Sequence, residues 1–147
     1  MSQPLVQSYL FFSGRCNEAL EFYRTALGAE IEMIMRFKDS PEPVPADQLA
    51  PGYEEKVMHS SFRIGKTILM ASDGCGEAET FGGFSLSLAV TSAEEADRYF
   101  AALTEGGKIC MSLDKTFWSP KFGIVQDRFG ISWMVNVVPE SEGQPQA

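Results

Sequence analysis

The sequence predicts an α+β fold in which two βαβββ modules pair into a curled mixed sheet around a cleft. Three observations predict it. A β-rich run, a break, a helical pattern and a glycine follow one another in "YLFFSGRCNEALEFYRTALGAEI" and again in "FSLSLAVTSAEEADRYFAALTEGGKI". Self-similarity of this kind marks one folding unit used twice. Ala19, Phe22 and Tyr23 recur as Ala96, Tyr99 and Phe100, while Gly65 recurs as Gly130. The second spacing is a dozen residues shorter, and "KDSPEPVPADQLAPGYEE" accounts for the difference as a longer loop in the first module. Finally, each module closes on Arg, an apolar residue, Gly and an apolar run, in "FRIGKTILMAS" and "DRFGISWMVNV". The modules are expected at about 5–73 and 82–138 within a single domain over 1–138, and 139–147 ("PESEGQPQA") reads as a disordered tail.

The elements follow in order. A first strand in "YLFF" breaks at Ser13-Gly14. The first helix carries Leu20, Tyr23 and Leu27 on one face and stops at Gly28. Strands are expected over 31–37, 57–64 and 67–72, the last two joined by the tight turn of "IGKT". After the strand of "GGFSLSLAV", Ser92-Ala93-Glu94-Glu95 forms a capping box, with Ser on an orphan amide and Glu reaching back. Ala96, Tyr99, Phe100 and Leu103 make the second apolar stripe, closed by Gly106-Gly107. Strands over 108–111, 123–126 and 131–138 complete the module, with a turn at Arg128-Phe129-Gly130.

Composition narrows the function. The formal charge of −8 argues against nucleic acid and anionic membranes, since both require a basic surface. No apolar run approaches the ~18 residues of a membrane span. The start, "MSQPLVQSYLFF", has neither a positive n-region nor a small-residue cleavage site. Cys16, Cys75 and Cys110 cannot all pair and lack zinc spacing, so a cytoplasmic location is expected. Cys75, in "DGCGE", reads as an incidental thiol in an exposed turn.

Paired βαβββ units carrying "FSGRCNEALEFYRTALGAE", "MHSSFRIG", "ILMASD" and "KTFWSPKFGIVQDRFGISWMVN" resemble the PhnB-like family. That family lies in the vicinal-oxygen-chelate superfamily, with glyoxalases, extradiol dioxygenases, fosfomycin-modifying enzymes and bleomycin-binding proteins. The resemblance runs over about 9–138, and the Phe-Trp…Phe-Gly…Asp-x-Phe-Gly-x-x-Trp-Met block is its specific part. It implies a glyoxalase-like fold, a small-molecule ligand and a symmetric homodimer, which would also protect open sheet edges. Superfamily metalloenzymes hold a divalent cation with His and Glu on the first and last strand of each half. Those positions fall near Ser8, Met70, Ser85 and Met134, and none is His, Asp or Glu. Their neighbours Gln7, Tyr9, Leu69, Ala71, Phe84, Leu86, Trp133 and Val135 supply none either. No metal and no cofactor are therefore expected. A methyltransferase label also attaches to the family, but no glycine-rich strand-to-helix turn suited to S-adenosylmethionine is found.

Strand alternation says which side chains share a face. Phe84, Leu86, Leu88 and Val90 should pack under the helix, leaving Ser85, Ser87 and Ala89 toward the cleft. These serines read as room for a curved sheet or for a ligand. A two-residue turn at Gly65-Lys66 sets Ile64 opposite Thr67, Arg63 opposite Ile68, Ser61 opposite Met70 and His59 opposite Ser72. His59, Ser61, Arg63 and Ser72 then share the Met70 face. His59 reads as a hydrogen-bonded sheet histidine or a catalytic base, and Arg63 as an ion-pair partner or a clamp for carboxylate or phosphate. From the second module come Ser132, Met134 and Asn136, with Trp133 opposite, and Trp118 lies just ahead of the third strand. The loop over 38–55, with its prolines, reads as a lid or a mobile segment. Two functions remain open. One is a protein that binds a small organic molecule unaltered. The other is a metal-independent or unusually liganded enzyme using His59 with Arg63 or a loop carboxylate such as Glu54.

Overall fold

The computed structural model describes residues 3–42, 45–74 and 80–138. The predicted turn at Cys75 and the predicted tail over 139–147 lie outside them. The chain divides into two compact units, Met1–Glu79 and Thr80–Ala147. In the first, β1 (Tyr9–Phe11) leads to α1 (Cys16–Leu27), β2 (Glu30–Arg36), three short 3₁₀ turns and the hairpin of β3 (Val57–Ile64) and β4 (Thr67–Ser72). In the second, β5 (Ser85–Val90) leads to α2 (Ala93–Thr104), β6 (Lys108–Asp114), β7 (Phe122–Gln126) and β8 (Ser132–Val137). Both units are βαβββ. Each forms a four-stranded mixed sheet, ordered β1-β4-β3-β2 and β5-β8-β7-β6, with the first and last strand parallel.

The helices form where spacing and caps allow. Cys16, Ala19, Leu20, Tyr23 and Leu27 are buried on one face of α1, as i, i+3, i+4 spacing requires. Tyr23 sits between Phe12 and Phe62, with ring centroids 6.3 and 6.0 Å away. Gly28, in the left-handed region at φ 69°, ends the helix. In α2, Ala96, Phe100 and Leu103 are buried, and the Ser92 hydroxyl accepts from the Glu95 amide at 3.2 Å. The capping box differs from expectation in its second half. The Glu95 carboxylate takes the Ser92 hydroxyl at 3.2 Å instead of the Ser92 backbone amide. Gly123 faces this helix, where an added Cβ would stand 2.8 Å from Phe100, so the strand passes close only because the side chain is missing.

Two buried carboxylates hold the elements together. Arg15, at the start of α1, provides no side-chain cap. Asp73, just past β4, supplies one from across the sheet. Its Oδ1 accepts from Gly14 N at 2.8 Å and Cys16 N at 2.7 Å, and its Oδ2 from Val57 N at 2.8 Å. A carboxylate at a helix N-terminus satisfies orphan amides and opposes the helix dipole. Asp127, just past β7, accepts from Phe129 N, Ile131 N and the Trp133 indole at 2.9, 3.1 and 2.8 Å. That is the physical content of Asp-x-Phe-Gly-x-x-Trp: one carboxylate closes the turn and anchors the ring on β8.

The hairpin register follows the prediction, with Ile64↔Thr67, Arg63↔Ile68 and Ser61↔Met70. The Arg-x-Gly match between the hairpins does not survive as an equivalence. Arg63 lies in β3 and Gly65 opens a two-residue turn, whereas Arg128 and Gly130 lie inside the turn spanned by the Gln126↔Ser132 pair. The hairpins correspond; their arginines do not.

An Asp73→Asn chain keeps the shape but turns an amide N–H toward a backbone donor. Hydrogen bonds to charged groups contribute about 1.5–3 kcal/mol each, so we expect urea unfolding to show a loss of about 2–4 kcal/mol. An unchanged midpoint would remove Asp73 from its organising role.

Candidate functional site

Each sheet turns one face to its helix and leaves the other open. In the first unit Phe62 and Tyr23 mark the helix side, so alternation puts His59, Ser61 and Arg63 on the open side. One row there runs Tyr9, Met70, Ser61, Met33 across all four strands. A second holds Ile68, Arg63 and Glu30. At the other end Phe11 is level with Ser72, and Met35 with His59. Tyr9 and Phe11 stack at 5.0 Å and are 37% and 44% exposed. Exposure on that scale leaves their rings available to a ligand.

The predicted residues fare differently. Ser8 lies just ahead of β1, where its carbonyl accepts from Met70 N at 3.0 Å, and Tyr9 takes the place level with Met70. Ser72 is buried, its hydroxyl accepting from Gly74 N at 2.9 Å. Arg63 pairs with Glu30 and lies 3.5 Å from Glu32, which is the ion-pair reading of that residue. His59 meets Tyr9, with the phenol oxygen 2.9 Å from Nδ1. Burial, together with the nearby Cys16, pushes the Tyr9 phenol above its ordinary range, while the Ser72 hydroxyl acts the other way. The phenol and Nδ1 share one hydrogen bond, and the imidazole tautomer sets which of them donates. Glu54 is exposed in the 3₁₀ turn Tyr53–Glu55. The stems of the 38–55 loop are joined by Lys38–Glu55 at 2.9 Å and by the Phe37 and Tyr53 rings.

The second unit has three comparable rows. Ser85, Ser132, Gln126 and Lys108 form one; Ser87, Met134, Ile124 and Met111 the next; Ala89, Asn136, Phe122 and Asp114 the third. Ser85 and Ser132 hydroxyls lie 2.6 Å apart. Asn136 leaves its carbonyl oxygen closed off from water without a hydrogen-bond partner. Trp118, half exposed, stands edge-on to Phe122 at 5.3 Å. Trp133 lies on the helix side, 3% exposed, as a core residue. Sequence reasoning missed Tyr9, Phe122 and Ile124; period-2 alternation along β7 would have placed the last two, whereas the three residues of β1 are too few to set the phase of Tyr9. A hollow of about 320 Å³ beside Gly106, Gly107, Lys108, Arg128 and Gly130 contains none of the predicted site residues.

Among the described residues, no three or more His, Cys, Asp or Glu side chains gather where they could hold a metal ion. The positions nearest the superfamily's ligands present hydroxyls, a phenol and thioethers, a donor set that does not fit a hard divalent cation.

Comparison with known proteins places this geometry. Residues 4–136 match the family model described as 3-demethylubiquinone-9 3-methyltransferase. The chain belongs to the PhnB-like family. This family has the vicinal-oxygen-chelate fold. The PhnB-like chain is 36% identical to Protein YjdN of Escherichia coli K12 over 144 residues, covering 92% of this chain and 97% of that one. The crystal structure of protein PA1353 from Pseudomonas aeruginosa is 41% identical with TM-score 0.81, over 94% of this chain and all of that one. The PhnB protein from Bacillus cereus is 28% identical with TM-score 0.76, over 92% of this chain and 100% of its own. Among the described residues no helix of this PhnB-like chain is long and apolar enough to cross a membrane.

Cys16 lies beneath this face, 3.8 Å from the Ser60 hydroxyl. Burial, then the Asp73 carboxylate, pushes its thiol from 9.0 up to about 12. The folded state therefore favours the neutral thiol, and stability from this group is complete below pH 9.0 and is lost as pH rises toward 12. In a Cys75→Ser background, a disulfide exchange reagent at pH 8 should label exposed Cys110 and spare Cys16 until urea is added. Two fast-reacting thiols in the folded chain would contradict the burial of Cys16.

Proposed function

We propose that this PhnB-like protein binds a small organic molecule against an open sheet face, without the divalent metal usual in its superfamily. The observation that carries the reading is the donor set on those faces. Tyr9 with Met70 and Ser87 with Met134 occupy level positions on the first and last strand of each unit. Ser85, Ser61 and Asn136 add polar groups beside them. Thioether, aromatic ring and hydroxyl suit a flat, largely apolar ligand fixed by a few hydrogen bonds. A metal site needs three or more suitable ligands, and His59 is the chain's single imidazole.

The methyltransferase description of the family does not extend to this proposal. The connection from β1 to α1 is Phe12-Ser13-Gly14-Arg15, too poor in glycine for the backbone cradle that holds a nucleotide-like cofactor. A second reading has one specific observation behind it, the 2.9 Å contact of Tyr9 with His59. A phenol and an imidazole in contact can pass a proton, which would serve a metal-independent reaction. Pairing of two copies into a homodimer, in the cytoplasm, completes the proposal; the exposed run of β6 at an outer edge of its sheet supports it.

Dialysed protein should hold far less than one equivalent of zinc, nickel or manganese by elemental analysis. Native mass spectrometry should show a small organic molecule leaving the chain on activation. A full equivalent of metal per chain would overturn the reading. For the enzymatic alternative, Tyr9→Phe should leave ligand affinity within a few-fold while turnover falls roughly 100-fold; equal turnover removes the pair from any chemistry.

A further inference from the structure

Among the described residues, the carbonyl oxygen of Asn136 is the one buried side-chain nitrogen or oxygen with no hydrogen-bond partner. Buried polar atoms in folded proteins are nearly always paired, so an orphan calls for a partner. Its surroundings say what kind. Asn136 lies on the open face of the second sheet, between Ala89 of β5 and Phe122 of β7 in one row. Ala89 is exposed and small, which leaves room beside the carboxamide. Phe122 offers a ring, and Trp118 extends that aromatic surface from 5.3 Å away. The row ends at Asp114, the charged group on this line of the face.

A carboxamide presents an acceptor beside a donor. Its complement is a group with N–H beside C=O, as in a lactam, an imide or the edge of a nitrogen heterocycle. A carboxylate offers only acceptors, would leave the Asn136 oxygen unpaired and would face Asp114. An ammonium satisfies the oxygen and is drawn to aromatic faces, but it has no acceptor to offer the amide donors. The outer torsion of an Asn side chain is broad, so the carboxamide can swing its oxygen to an incoming donor.

We propose that Asn136, with Ala89, Phe122 and Trp118, reads a neutral planar ring whose edge carries N–H next to C=O. This inference rests on the ligand-binding reading above and specifies its chemical class. Asn136 is thereby a specificity residue: the rings hold any flat molecule, and the carboxamide selects among them.

The probes are 2-quinolone, its N-methyl derivative and naphthalene, each titrated into the full chain with the ¹⁵N resonances of the Asn136 carboxamide and the Trp118 indole followed. 2-Quinolone should move both resonances and bind at least about tenfold tighter than either comparison ligand, the worth of one well-made hydrogen bond. Asn136→Leu, of similar shape, should cost 2-quinolone about tenfold and leave naphthalene unchanged. If that variant fails to fold, the N-methyl comparison on the native chain decides. Equal affinity for 2-quinolone and its N-methyl derivative overturns the inference. Naphthalene binding at Trp118 under that outcome leaves the ligand-binding reading standing, whereas no binding of any probe overturns the inference and removes this face from the reading.

Discussion

The burial of the Asp73 carboxylate governs the first unit. A carboxylate taken from water costs several kcal/mol unless its oxygens are met by donors, and Asp73 meets three backbone amides from two separate segments. Gly14 and Cys16 are where α1 begins, and Val57 is where β3 begins. Moving any of these by one residue strands a buried charge. The helix can therefore start only where it does, and the β4 strand can end only where it does. Asp127 imposes the same discipline on the second unit through Phe129, Ile131 and Trp133.

Fixed strand ends fix register, and register decides chemistry. A slip of one residue exchanges the two faces of a strand. The glycine match between hairpins would set Met70 level with Val135, yet Met70 is on an open face and Val135 is fully buried on a helix side. Only an offset that preserves face relates the units, and Met70 then corresponds to Met134. Both sit mid-row, flanked by Tyr9 and Ser61 in one unit and by Ser87 and Ile124 in the other. The duplication is thus expressed in strand order, facing and the helix match of Ala19 and Tyr23 to the likewise buried Ala96 and Phe100, while the Arg-x-Gly match between the hairpins misleads.

Much of this was legible because it is local. The apolar stripes of α1 and α2, the Ser92 cap, Gly28 and the two-residue turn at Gly65-Lys66 each depend on residues within a few positions, and each appears where spacing places it. The duplicated βαβββ order was readable for the same reason. What escaped reading depends on partners far along the chain. Nothing near Arg15 reveals that its helix is capped by Asp73, 57 residues beyond Cys16. Ser8 stood in for Tyr9 because a three-residue strand gives alternation too little length to set its phase. Arg63 was open between two roles until Glu30 and Glu32 proved to lie on the neighbouring strand, which turns on a bulge in β2 that no pattern predicts.

The two open faces differ because the fold does not constrain them. The helix side must be largely apolar in both units, since α1 and α2 lie on it; the other side is under no such packing demand. In the first unit that side carries Tyr9, Phe11, Arg63 and Glu30, in the second Ser85, Ser132, Asn136 and Phe122. The charges do not lock the first face. Arg63 and its glutamates are each at least two-fifths exposed, and exposed pairs contribute only about 0–1 kcal/mol. A ligand carboxylate could replace Glu30 on Arg63 at little cost. The contact between Tyr9 and His59, 2.9 Å long, lies at similar exposure, with Tyr9 37% exposed. Neither the Arg63 pairs nor the phenol–imidazole contact is sealed from water, so either can be exchanged for contacts to an incoming group.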